Sequence, residues 1–184
     1  GYLDTGRFRG ILAKYCGFMP YPIYLSDGGE AEQVNDTEPL WQKNPSELTD
    51  DQYAAFYKKV FADYADPLFY VHINADYPLN FKGILYFPKP KGEPVEPVVK
   101  LFYNSVFVAD NIKEVVPDFI PCLRGVLDCP ELPLNVSRSY LQSDAYVRKV
   151  AAHIVKKVAD KLCALYNKDR AGFERIWGDI RPYI

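Results

Sequence analysis

The spacing of apolar residues changes along the chain from about 3.6 to 2 and back again. In the opening stretch YLDTGRFRGILAKYCGF, Leu3, Phe8, Ile11, Leu12 and Tyr15 recur at helical spacing, and Gly17 supplies a stop. A short extended piece, YPIYL, follows its prolines. The next stretch, SDGGEAEQVNDTEP, is small, polar and acidic with no apolar period, and it reads as a flexible loop. NPSELTDDQYAAFYKKVFADY predicts a helix with two available starts, Ser46 or Thr49; from Thr49, Gln52 completes a capping box. The apolar stripe of this helix is Tyr53, Phe56, Tyr57 and Val60.

The period then becomes two. In LFYVHINA, Phe69, Val71 and Ile73 point one way while Tyr70, His72 and Asn74 point the other. FKGILYFP repeats the pattern with Phe81, Leu85 and Phe87, which predicts an antiparallel pair. After the proline-rich connector KPKGEPVEP, the β-branched and aromatic run VVKLFYNSVFVAD reads as one long strand. Asp110 or Asn111 can cap a short helix through IKEVVPDFI, and LRGVLDC reads as another strand. From Ser143 onward Val147, Val150, Ile154, Val158, Leu162 and Leu165 form one helical stripe, with Arg148, Lys149, Lys156, Lys157 and Lys161 mostly off it. DRAGFERIWGDI continues as a shorter helix. Helices, then strands, then helices predict a layered α/β or α+β domain with a helical extension.

Composition narrows the function. Apolar residues make up 48% and charged residues 25%, the balance of an ordinary globular protein with one sizeable core. A formal net charge of −2 argues against a dedicated nucleic-acid binder, which carries a basic excess. No run approaches the ~18 apolar residues of a membrane span, and the first residues lack the apolar core of a secretory signal. The chain opens on Gly rather than Met, as expected of a piece excised from something longer. Cys16, Cys122, Cys129 and Cys163 are scattered without a CxxC pair and far from both histidines, so no metal site is expected and the thiols read as reduced and mostly buried.

Few residues offer chemistry. His72 and His153 have no cysteine or acidic partner at a catalytic spacing and read as structural. The DGG at 27–29 is not followed by a phosphate-binding pattern, so nucleotide binding by this chain alone is unsupported. The lysine-rich face of 148–161 suits either solvent or an acidic partner. Trp41, beside a proline and ahead of a helix cap, suits either a staple or a contact surface. LPLNVSRSYLQ is the sharper case. Asn135 and Ser137 can shape a turn into a helix, after which Arg138 and Gln142 share one face. A guanidinium fork beside an amide suits a phosphate, although an isolated arginine is more often plain surface.

The stretches EPLWQKNPSELTDDQYAAFYKKVFADYADPL and VKLFYNSVFVADNIKEVVPDFIPCLRGVLDCPELPLNVSRSYLQ, with the AAHIVKKV helix, resemble the middle segment of the heat-shock protein 90 chaperones in their bacterial form. The resemblance runs from the opening helix to nearly the last residue. It implies an α/β/α sandwich with a mixed sheet over 1–142 and a helical connector over 143–184. It further implies a cytoplasmic, homodimeric parent whose preceding N-terminal segment binds ATP and Mg, and which acts on client proteins, with no nucleic acid or membrane. In the family the arginine matching Arg138 reaches the γ-phosphate of ATP held by that other segment. Gln142 and Asn135 match the same catalytic loop, with Ser137 supporting it, and Phe107 matches an aromatic that contacts the nucleotide segment. Trp41 matches a tryptophan linked to client binding, which implies exposure. Ser139 departs from the family's usual glutamate after Ser-Arg, and Asn104 and Ser105 replace positions often basic in relatives. The implied fragment binds no cofactor by itself and is inactive alone. A non-catalytic module that binds acidic partners is the alternative reading. A self-contained enzyme built on a cysteine or histidine has the least support.

Overall fold

A computed structural model describes residues 4–90, 96–110, 115, 123–131 and 145–181. Period-two alternation folds Phe69–Ala75 (β3) and Phe81–Phe87 (β4) into an antiparallel hairpin, with Phe69 opposite Phe87 and Ala75 opposite Phe81. Phe69 and Phe87 stack at 4.2 Å between ring centroids. Val98–Tyr103 (β5) and Val106–Asp110 (β6) form a second antiparallel hairpin. Arg124–Asp128 (β7) lies between the two, antiparallel to β4 and parallel to β5. The sheet order is therefore β3-β4-β7-β5-β6, a mixed sheet as expected.

Two glycines allow its central strands to close. A Cβ on Gly83 would lie 2.4 Å from the Val126 carbonyl oxygen, and one on Gly125 would lie 2.7 Å from Leu85 Cδ2.

Each face of the sheet is covered. On one side Phe69, Val71, Ile73, Leu85, Leu101 and Leu127 meet Val147, Val150, Ile154 and Val158 of Ala145–Lys168 (α3), with Ile180 from Arg170–Ile180 (α4). The stripe read from the sequence is this buried seam. α3 thus packs as a layer of the sandwich. On the other side Ile84, Tyr86, Phe102 and Val126 meet Trp41 and the helix Asp50–Phe61 (α2). Of the two predicted starts for α2, Thr49 is used: its side chain and that of Gln52 form the full capping box. Among the described residues no helix is long and apolar enough to cross a membrane.

Two expectations are corrected. The run VVKLFYNSVFVAD is a hairpin rather than one strand, because Asn104 and Ser105 both take positive φ (48° and 64°) and reverse the chain between β5 and β6. The stretch expected as a flexible loop carries Glu32–Gln33 (β2), which pairs antiparallel with Tyr24–Leu25 (β1) of the extended piece before it. It is tied down by Asn35, whose side chain accepts from the Ile23 amide and donates to the carbonyls of Met19 and Tyr21. The first helix forms at Thr5–Tyr15 (α1), capped by Asp4, yet none of its residues is buried; Phe8, Ile11 and Tyr15 remain exposed. The helix expected through IKEVVPDFI falls outside the described residues apart from Val115, which is buried.

Candidate functional site

The residues singled out in LPLNVSRSYLQ, namely Asn135, Ser137, Arg138 and Gln142, lie outside the described residues, as does Cys122. What is described is the frame on either side of them: the end of β7 and the start of α3. Asp128 ends β7 and is only 3% exposed. Its Oδ2 accepts from Trp41 Nε1 at 3.2 Å, Gln42 Nε2 at 3.1 Å, the Ser105 amide at 2.9 Å and Ser105 Oγ at 3.2 Å. One anionic oxygen thus joins three separate pieces of chain: the turn Leu40–Gln42, the β5–β6 turn and β7. A buried carboxylate is tolerated where donors converge on it in this way. Asp128 Oδ1 is buried without a hydrogen-bond partner among the described residues. A cleft of about 290 Å³ opens beside it, lined by Gln42, Asn80, Lys82, Asn104 and Pro130.

The two margins of the frame converge on the β3–β4 turn. Tyr146, in the first turn of α3, donates its hydroxyl to the Leu79 carbonyl at 2.8 Å, and Asn80 donates to Glu131 at 3.4 Å. Tyr146 also bonds the Cys129 side chain. Burial first, and then the Asp128 charge, push the Cys129 thiol up to about 12, so it is an inert packing group. Burial likewise raises Tyr146 above the usual phenol range, with Cys129 and Glu131 adding to the rise.

Trp41 corrects the expectation of an exposed client contact. Its side chain is fully buried, edge-on to Phe18 at 4.7 Å and tilted against Phe102 at 5.0 Å, with its N–H committed to Asp128. The burial of so large a side chain, with its one donor paired, makes it a structural pin. His72 is held in the same layer. Its Nε2 faces the Trp41 carbonyl at 3.4 Å, so that nitrogen carries the proton and Nδ1 accepts from the Tyr53 hydroxyl at 2.7 Å. Burial lowers its pKa, as expected of a structural histidine.

His153 lies on α3. It is half-buried edge-on to Phe81 at 5.5 Å, its Nε2 has no partner among the described residues, and burial followed by Lys157 and Lys156 lowers its pKa.

Phe107 sits on β6, half-buried, at 5.8 Å from Phe102 and 5.7 Å from Tyr15 of α1, with Lys14 Nζ 5.4 Å above its ring. Phe107 and Trp41 therefore flank the same aromatic layer, with Phe102 between them.

Sequence reasoning missed Asp128 and Ser105, although one signal was present. In RGVLDC a lone acid interrupts an apolar run, which implies a buried charge with dedicated partners. Among the described residues no group of three or more His, Cys, Asp or Glu is placed to hold a metal ion.

The family described as Hsp90 protein matches residues 26–184. The chain belongs to the Hsp90 family. It is 44% identical over its whole length to the chaperone protein HtpG of Bacteroides fragilis and 42% identical to that of Porphyromonas gingivalis, covering 29% of each. It is 33% identical to the HtpG of Borreliella afzelii over 94% of this chain and 31% of that one. The chain spans under a third of the length of these curated relatives.

Proposed function

We propose that this chain is the middle segment of an ATP-driven chaperone and that Arg138 acts on ATP held by the preceding N-terminal segment. Its guanidinium would supply two aligned donors to the negative charge that develops on the terminal phosphate during transfer, the arginine-finger use of this side chain. Gln142 would add a neutral donor from the next turn, and Asn135 and Ser137 would shape the loop that carries both. Phe107, on β6, would meet the nucleotide-binding segment. ATP and Mg belong on this reading to that other segment. The described residues of this chain offer no cluster of metal ligands, and its sequence has no glycine-rich phosphate cradle. The homodimeric, cytoplasmic parent and its client proteins belong to the same proposal.

The observation that carries the reading is the match of residues 26–184 to the Hsp90 family. The frame supports it: a finger residue needs rigid ends, and residues 132–144 run from a strand pinned by the Asp128 hub to a helix pinned through Tyr146.

The test is ATP turnover and ATP affinity in the full-length protein with Arg138→Ala. Turnover is expected to fall on the order of tenfold or more with affinity nearly unchanged, the signature of an interaction made only in the transition state. Unchanged turnover would overturn the assignment and leave the segment as a non-catalytic interaction module.

A further inference from the structure

The two ends of the connection 132–144 are held in unequal ways. At the outgoing end Asp128 gathers four donors on one oxygen, and the Cys129 amide donates to the Phe102 carbonyl at 3.0 Å. Removing any one of these donors leaves the strand end fixed by the rest. At the incoming end α3 is seated by Val147 and Val150, each 1% exposed. Apolar contacts of this kind choose the face that a helix turns down, but they are not directional and permit small slides along its axis. A hydrogen bond fixes both distance and direction. Tyr146 supplies one: its hydroxyl donates to the Leu79 carbonyl at 2.8 Å. The same side chain meets Cys129, whose thiol burial keeps protonated. The phenol thus stands between the β3–β4 turn, the exit of β7 and the entry of α3. Its anchor is stiff. The Asp76 carbonyl accepts from the Leu79 and Asn80 amides at 3.2 and 3.4 Å, which closes the turn, and Leu79 packs against the core that includes the α3 seam.

We propose that Tyr146 is a positioning residue for Arg138: its hydroxyl sets where α3 begins relative to the end of β7, and so where the connection between them holds the guanidinium. The role rests on the ATPase reading above. A donor that stabilises developing charge must sit within about 0.5 Å of its productive place. A misplacement of about 1 Å can cost on the order of a hundredfold in rate, and one hydroxyl among several restraints moves the helix entry by less, so a loss of about fivefold to tenfold is expected. ATP is held by the other segment on this reading, so its affinity stays unchanged. Tyr146 touches neither substrate nor reacting atoms; its effect passes through Arg138.

The experiment uses the full-length protein with Tyr146→Phe, Arg138→Ala, the two combined, and Val158→Ala. Turnover at saturating ATP, ATP affinity by calorimetry and Tm are measured for each. Tyr146→Phe keeps the ring and loses only the hydroxyl. It is expected to lower turnover about fivefold to tenfold with ATP affinity within about twofold of the unmodified protein. In the Arg138→Ala background the same change is expected to do nothing further, because the group it positions is gone. Val158→Ala shortens a buried side chain of the same seam about 18 Å further along α3. It is expected to lower Tm while turnover stays within about twofold, which separates a loosened helix from a misplaced arginine. Unchanged turnover in Tyr146→Phe, a further loss in the double variant, or an equal loss in Val158→Ala would each overturn the inference. Unchanged turnover in Arg138→Ala would instead overturn the ATPase reading, and the inference with it.

Discussion

Asp128 offers the most exacting test of the physical account. Replacing it with alanine removes the acceptor shared by four donors, and their fates differ. Gln42 is at the surface and can turn to water, and the Ser105 hydroxyl can rotate. Trp41 Nε1 and the Ser105 amide cannot escape, because these residues are 0% and 7% exposed. A buried donor left unpaired costs about 1–3 kcal/mol, so two of them set the loss at about 2–6 kcal/mol. Against a total stability of about 5–15 kcal/mol for a domain, that is a large fraction. Asp128→Asn keeps one acceptor oxygen in place and loses only the charge assistance, so a smaller cost of about 1–2 kcal/mol is expected.

The assay is urea denaturation followed by far-UV circular dichroism, with the midpoint shifted and the slope unchanged. Trp41→Phe, made alone and with Asp128→Ala, completes the cycle, and the pair should couple by about 0.5–3 kcal/mol because they share one hydrogen bond. An alanine variant that loses less than about 1 kcal/mol would refute the hub, since two trapped donors cost about 2 kcal/mol at the least.

Two further outcomes follow from the packing and the titratable groups. Gly83→Ala places a methyl against the Val126 carbonyl, backbone that cannot step aside, and a loss of about 1–3 kcal/mol is expected as a lowered Tm. His72 and His153 both have folded-state pKa values below the ordinary 6.5, with burial as the first cause. The unfolded chain therefore takes up protons first, so the histidine contribution to stability should be flat above about pH 7 and fall as pH drops through 6.5 toward the lower folded values. His153→Leu, read by denaturation at several pH values, should flatten part of that fall, and a stability that rises on acidification over this range would reverse the assigned sign.

Much of the architecture was legible because the pattern and the burial coincide. Thr49 and Gln52 announce the start of α2 locally, and the Val147 to Val158 stripe names the seam of α3 without knowledge of its partner. The alternation in β3 and β4 sets their register because a slip of one residue would turn Phe69, Val71 and Ile73 outward. What stayed hidden depends on distant residues. The Asn104–Ser105 turn is masked by strong strand formers on both sides. Trp41 looks available because its burial requires Phe18, Phe102 and Asp128, spread over more than a hundred positions of sequence. The opposite error affects α1, whose apolar spacing is real while the chain described here leaves it uncovered. For the candidate site, LPLNVSRSYLQ suits an anion by composition, while the Asp128 network at the end of β7 rests on an acid in an apolar run that periodicity alone treats as noise.

The strand order has a consequence for how the chain is made. β3–β4 and β5–β6 are each neighbours in sequence and can pair as soon as they are synthesised, yet both hairpins then wait with an open inner edge. Only β7, emerging last, completes both, adding five backbone partners to β4 and five to β5. A nascent chain halted before Arg124 would carry two sticky margins at once, so this sheet reaches safety in a single late event rather than strand by strand.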